Sequence, residues 1–343
     1  MLYSASAVHE LFFDWTKNVT LNSNNVLSGF HNTTWVISDG SSFVGGAGGA
    51  GSKGIYSPNG FSWSSANMPQ FPTTANNVGY PAGAVNNAGL YLVLGYGSGT
   101  YNITISGTGN SWSISSTVIG ADQSDYVAFA CNGTLFSKLS SSTGTALTTL
   151  DGITWNTNST GIINTDFYYM ISNGTEFVVI GSHFGAQKIL KSTNGLTWSS
   201  YAVSSPALTD GIGGFTTNII SNGTEYMCID LSGNIWTSTD AITWTQRITP
   251  VTYTTGYFGP VTPRLSSNGS LFILTYPTFI CTTTNGIVWN NYPINFDKTF
   301  GNLSLPAYAA TGRGLPWTSC SNPFVAVSCV TTTVNSLAIN FYF

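Results

Sequence analysis

The chain has 343 residues, and charged residues make up only 6% of it, against roughly 25% in an ordinary soluble domain. Net charge is −4 and the nine Lys and Arg residues are scattered singly, which excludes the clustered cations that nucleic acid or an anionic membrane surface requires. Aromatic residues reach 14%, so the composition is not that of a disordered chain either.

Asn, Ser, Thr and Gly fill the polar positions, while Glu, Lys and Arg, which favour exposed helix surfaces, are scarce. The expected class is all-β, almost without helix. At the N-terminus, Met1–Lys17 has no basic stretch followed by an apolar run, because His9, Glu10 and Asp14 interrupt it. No run of about 20 apolar residues occurs anywhere. Folding in a cytoplasm, without a secretory signal or membrane insertion, is the expectation. Within this stretch Leu11–Thr16 reads as a short strand carrying Trp15.

Two motifs then alternate along the chain. The first is a turn followed by an aromatic residue, best seen in Ser172-Asn173-Gly174-Thr175-Glu176-Phe177 and repeated from Asp39, Asn87, Cys131, Ser221 and Ser267. The second reads Ser/Thr-x-Asp/Asn-Gly-x-Thr/Ser-Trp, as in Ser192-Thr193-Asn194-Gly195-Leu196-Thr197-Trp198. Further copies of the second end at Trp63, Trp112, Trp155, Trp244 and Trp289. Asn-Gly and Asp-Gly between β-rich runs predict two-residue hairpin turns with both central residues at positive φ. Two such turns per repeat imply four strands. In the best copy these are Tyr168–Ser172, Glu176–Gly181, Lys188–Ser192 and Leu196–Ser200.

Four antiparallel strands in about 45 residues is the period of a propeller blade. Seven tryptophans count the blades: Trp15, Trp63, Trp112, Trp155, Trp198, Trp244 and Trp289. The chain is therefore expected to be a single domain, 1–343, a seven-bladed β-propeller of four-stranded antiparallel blades. Strands near Pro316–Cys320, Phe324–Ser328 and Asn335–Phe343 would build the last blade, and residues 1–17 would close it as its outer strand. Closure of this kind hides sheet edges. The one enlarged connection is 290–315.

The tryptophan-bearing turn resembles the Asp-box, or BNR repeat, of sialidases, sortilin-type receptors and many microbial and viral propellers. The usual Asp-box has one more residue between its acidic position and its glycine; here Asp151 and Gly152, Asn194 and Gly195, and Asn285 and Gly286 are adjacent. The resemblance is thus to an architecture. It implies a structural role for Asp151, Asp240, Asn194, Asn285 and all seven tryptophans, with the carboxylate or amide bonding turn amides and the indole packing beneath.

In a propeller the first and third hairpin turns of each blade lie on one face, and the variable connections on the other. Variable loops on a rigid scaffold carry function. The candidate binding residues are the aromatics expected there, Tyr96, Tyr101, Phe184, Tyr253, Tyr257, Phe258 and Trp317, together with His183 and Arg313. Sugars stack on such aromatics, and protein interfaces favour Tyr, Trp and Arg; loop packing is the competing reading. The five cysteines read as small buried thiols, with pairing of Cys320 and Cys329 on adjacent strands as the alternative. No cofactor or metal is expected, because no ligand spacing or calcium loop occurs.

A sialidase distributes three arginines around its ring, but Arg247, Arg264 and Arg313 all fall in the last third, and the glutamates are only Glu10, Glu176 and Glu225. Glu176 and Glu225 occupy equivalent repeat positions. A two-carboxylate hydrolase would have to draw on Asp122, Asp125, Asp166 and Asp210. Nine Asn-x-Ser/Thr sequons are a by-product of the Asn, Ser and Thr content. The expected function is non-enzymatic. The chain would be a virion-associated or surface protein, extracellular or cell-surface as the alternative to a virion, docking to other virion or surface proteins or to a host receptor. A glycan-binding propeller is the runner-up and a glycoside hydrolase the third reading.

Overall fold

The structure, a computed structural model, describes residues 33–39, 42–47, 54–58, 64–66, 82–97, 100–115, 128–140, 143–162, 165–183, 186–203, 206, 219–230, 234–250, 264–267, 269–275, 279–293, 324–329 and 336–341. They form a β-propeller of four-stranded antiparallel blades. Blade one is β1 (Thr33–Ser38), β2 (Phe43–Ala47), β3 (Gly54–Ser57) and β4 (Ser64–Ala66). Blade two is β5 (Ala82–Val85), β6 (Tyr91–Gly97), β7 (Thr100–Ser106) and β8 (Ser113–Ile114). Blade three is β9 (Ala128–Cys131), β10 (Phe136–Leu139), β11 (Thr145–Thr149) and β12 (Asn156–Ser159). Blade four is β13 (Thr165–Ser172), β14 (Phe177–His183), β15 (Ala186–Ser192) and β16 (Ser199–Ala202). Blade five is β17 (Ile219–Ser221), β18 (Tyr226–Ile229), β19 (Ile235–Ser238) and β20 (Thr245–Arg247). Blade six is β21 (Arg264–Ser267), β22 (Phe272–Thr275), β23 (Phe279–Thr283) and β24 (Asn290–Pro293). From β1 through β21, the first strand of each blade adjoins the first strand of the next.

The described residues form six such blades, not the seven expected. A two-stranded sheet, β25 (Phe324–Cys329) with β26 (Ser336–Phe341), lies against β1. The tryptophan count included Trp15, whose blade would have to be assembled from both ends of the chain. Only β25 and β26 of that composite are described, and Trp15, Trp63, residues 11–16, Pro316–Cys320 and most of 290–315 lie outside the described residues. Cys320 also lies outside them. Cys329 ends β25 opposite Ser336.

Each blade grades from apolar inside to polar outside, as the sequence dictates. The second strands read Phe-Val-Val-Ile or Tyr-Met-Cys-Ile and are buried, while the outer strands β12 and β16, Asn-Thr-Asn-Ser and Ser-Ser-Tyr-Ala, are exposed throughout. The first residue of every second strand is a buried aromatic: Phe43, Tyr91, Phe136, Phe177, Tyr226 and Phe272. Alternate residues of one such strand face opposite neighbours, so the core is a set of interfaces between blades. Val178 and Ile180 pack with Tyr226 and Cys228 of the next blade, and Phe177 and Val179 with Ala128, Ala130 and Leu139 of the preceding one.

The turns differ from the expected two-residue hairpins. Residues 150–155 separate β11 from β12, and strand β16 begins at Ser199 rather than Leu196. Only the glycine of each pair has positive φ, 73° at Gly152 and 71° at Gly195; among the described residues Ala241 is the sole other residue type there. The preceding Asp or Asn keeps an ordinary conformation because its side chain replaces a backbone acceptor. Asp151 Oδ1 accepts from the amides of Ile153 and Thr154 at 2.8 Å each, and Asn194 Oδ1 from Leu196 at 2.9 Å and Thr197 at 2.8 Å. The Thr149 hydroxyl accepts from the Gly152 amide at 2.8 Å, and the Trp155 indole donates to the Gly152 carbonyl at 3.2 Å. Trp112, Trp198, Trp244 and Trp289 repeat that indole bond, and Asp240 and Asn285 repeat the capping.

Asp151 is held below the usual carboxylate range chiefly by the Thr154 and Ile153 amides. At Asp240 burial pushes upward, but the Thr243 and Ile242 amides and the Ser238 hydroxyl outweigh it, and the carboxyl is lowered. A depressed native value adds stability that is complete above the ordinary carboxylate range and is lost as pH falls through the lowered values. The double substitution Asp151→Asn, Asp240→Asn keeps the turn, since Asn caps the equivalent sites at 194 and 285. Wild type should exceed the variant in stability at pH 7, with the gap closing below about pH 4. Urea midpoints measured from pH 7 to 2.5 check this; a gap independent of pH would show that the two carboxylates do not contribute through ionisation.

Candidate functional site

All second strands start at the same aromatic position, so differences in their length appear at their far ends. Strands β6, β7, β14 and β15 have 7 residues each, whereas β10, β18 and β22 have 4. The hairpins of blades two and four therefore stay paired roughly 10 Å further than their counterparts on the face of the variable connections. They flank blade three, whose own connection, Ser140–Gly144, is built of Ser, Thr and Gly.

Tyr96 and Tyr101 lie on β6 and β7 directly opposite each other, not in loops. His183, also expected in a loop, ends β14 opposite Ala186. Asp166 lies in β13 opposite Ser182. The fold thus carries Tyr96, Tyr101 and His183 to the ends of two separate hairpins. Phe184, Tyr253, Tyr257, Phe258, Arg313, Trp317, Asp122, Asp125 and Asp210 lie outside the described residues.

Several polar placements escaped sequence reading. The buried Asp230 accepts from the Asn234 amide at 2.8 Å, the Asn234 side-chain nitrogen at 2.9 Å and the Trp236 indole at 2.8 Å, bridging the connection between β18 and β19. Lys138 is buried within β10. Glu176 pairs with Lys191 at 3.0 Å and accepts from the Tyr226 hydroxyl at 2.8 Å, while Lys191 also donates to the Asp240 carbonyl at 2.7 Å. This network ties blade four to blade five. Burial, reinforced by the bond to Glu176, pushes the Tyr226 hydroxyl far up. Asn222, within one of the sequons, is buried and donates to the Thr284 carbonyl at 3.0 Å. A tyrosine or glutamate inside a repeat position was the available signal; its partner lies about 50 residues away.

Cys131 and Cys281 are free thiols pushed up to about 12, in each case mainly by burial, and Cys228 is raised by burial and then by the Asp230 charge. Alkylation of Cys131 and Cys281 at pH 8 should be roughly a thousand-fold slower in the native protein than in urea, and that of Cys228 should be slowed as well. Peptide mapping after iodoacetamide treatment measures it. Rapid native labelling of Cys131 would show that this thiol is reactive. Among the described residues no three His, Cys, Asp or Glu side chains converge as a metal group, and no helix is long and apolar enough to cross a membrane.

Fold and blade geometry define the chain as a β-propeller. Solved structures similar to it include virginiamycin B lyase from Staphylococcus aureus, with a TM-score of 0.59 at 10% identity, covering 91% of this chain and 95% of that one. A streptogramin B lyase gives a TM-score of 0.53 at 11% identity over 78% of this chain and 84% of that one. PorZ, a surface component of the type-IX secretion system of Porphyromonas gingivalis, gives 0.50 at 10% identity over 91% of this chain and 38% of that one. At such identities the likeness is one of fold alone. No protein-family profile matches the chain and no curated protein is significantly similar.

Proposed function

We propose that the chain is a non-enzymatic docking scaffold of a virion or a cell surface, which presents the variable-connection face of its propeller to a partner protein or host receptor. The observation that supports this reading most is the pair of lengthened hairpins in blades two and four, with Tyr96, Tyr101 and His183 at their ends. Tyrosine offers large contact area at low entropic cost. Four of the described carboxylates, Asp151, Asp230, Asp240 and Glu176, are engaged in turns and blade interfaces. The low-charge, hydroxyl- and amide-rich surface suits a particle exposed to varied surroundings, and PorZ provides a surface protein of similar fold.

Residues 1–343 act as one unit in this reading, with residues 1–17 adding a strand to the β25–β26 sheet. Deleting 1–17 should lower the melting temperature; an unchanged value would rule the added strand out. Mass spectrometry of purified particles tests the location, and absence of the chain there would count against a virion role. A Tyr96→Ser, Tyr101→Ser variant should lose partner binding while melting near wild type.

The tyrosine pair also favours a second reading, in which the partner is a glycan. A glycan array with wild type and with Phe184→Ala or Tyr257→Ala distinguishes the two. Because two of the similar structures are lyases, purified chain should also be incubated with virginiamycin B and with model glycosides. Turnover of any of these would overturn the non-enzymatic reading.

A further inference from the structure

Every described blade interface contains the same pair of positions. One is the residue just before the second strand of a blade, and the other is the first residue of the second strand in the next blade. At blades one and two the pair is Ser42 and Tyr91, whose hydroxyls lie 2.8 Å apart. At blades four and five it is Glu176 and Tyr226, bonded at 2.8 Å. Leu90 and Phe136 share one apolar cluster between blades two and three, and Leu135 and Phe177 another between blades three and four. A polar residue thus meets tyrosine, and leucine meets phenylalanine.

The interface of blades five and six breaks this match, because its two equivalent positions hold Glu225 and Phe272. The Glu225 backbone repeats Glu176 closely: its amide donates to Asn222 Oδ1 at 2.9 Å and its carbonyl accepts from Ser221 at 2.9 Å, as Glu176 does with Asn173 and Ser172. Phe272 packs on Met227 and Ile229 as Tyr226 packs on Val178 and Ile180. Both donors that serve Glu176 are replaced. Tyr becomes Phe272, and Lys191, which lies opposite Val178, becomes Thr237, which lies opposite Met227 and accepts from Arg247 at 2.8 Å. Among the described residues, Glu225 Oε2 is the buried side-chain atom left without a hydrogen-bond partner. A buried oxygen without a donor keeps its full desolvation cost, so it favours any opening that readmits water.

We propose that, of the described blade interfaces, the seam between blades five and six opens first, because the Glu225 and Phe272 positions lack the hydroxyl that closes the equivalent Glu176–Tyr226 pair. Hydrogen-exchange mass spectrometry on the full chain tests it. In wild type, β18 and β22 should exchange faster than β6, β10 and β14. Phe272→Tyr supplies the missing donor and should slow exchange in β18 and β22 about tenfold or more, leaving β6 and β10 unchanged. Glu225→Leu recreates the leucine–phenylalanine pair and should slow the same strands, which keeps the test open if the added hydroxyl is poorly accommodated. Phe177→Tyr, opposite Leu135, gains no acceptor and should speed exchange in β10 and β14. The proposal is overturned if β18 and β22 are no faster than the other strands in wild type, or if both Phe272→Tyr and Glu225→Leu leave their exchange unchanged or faster.

Discussion

Gly152→Ala is expected to destabilise the propeller by about 2–5 kcal/mol, the sum of a left-handed backbone penalty and overpacking. Gly152 has φ 73°, and an added Cβ would lie 2.5 Å from Leu92 Cδ2 and 3.1 Å from Ile105 Cδ1, both in the preceding blade. The glycine is therefore required twice, once by its turn and once by its neighbour. Gly174 separates the two requirements, since it has φ 94° but nothing within 4 Å of its added Cβ. Gly174→Ala should cost only the backbone part, about 1–2 kcal/mol. Urea denaturation of both variants measures the difference, and equal losses would remove the adjoining blade from the explanation. Gly195 and Gly286 meet Thr148 and Thr237 of their preceding blades at 2.7 Å in the same way. The exception is Ala241, buried with φ 61°, where the preceding blade offers Lys191, which reaches the Asp240 carbonyl.

Phe177→Ala should cost about 3–5 kcal/mol through lost burial and the cavity left behind. Phe177 is fully buried between blades three and four, in one cluster with Phe167, Met170 and Leu190 and with its ring 6.5 Å from that of Trp198. Strands on both sides of the hole are held in hydrogen-bonded sheets, so the site has little freedom to collapse. Tyr226→Phe removes only a hydroxyl at the equivalent place and should cost less. A loss below about 1 kcal/mol for Phe177→Ala would mean that the blades close over the cavity.

The hairpins were legible because their causes are local. Asn173 and Asp151 bond amides two and three residues ahead, and Trp155 bonds a carbonyl three residues back. Such contacts follow from spacing alone, as does the four-strand repeat. The expectation of positive φ at both turn residues failed for a physical reason. An Asx side chain that caps the turn removes the need for the second left-handed residue, and dipeptide identity does not distinguish the two cases. The site was less legible. Tyr96, Tyr101 and His183 were expected in loops, but β6–β7 and β14–β15 continue pairing past the length of the other blades. Pairing length depends on how two strands twist together, not on either sequence by itself.

By itself the sequence determined the all-β class, the repeating unit, its capped turns and its indole-bearing hairpins, because all of these arise from interactions within a few residues or within one blade. The tertiary structure alone decided that the described strands form six four-stranded blades and a two-stranded sheet, that Glu176 finds Tyr226 and Lys191, and that Glu225 Oε2 is buried without a donor. Those outcomes depend on which surfaces meet across an interface about 50 residues apart in the chain. Free energy at such a seam belongs to the pair and is written in neither repeat alone.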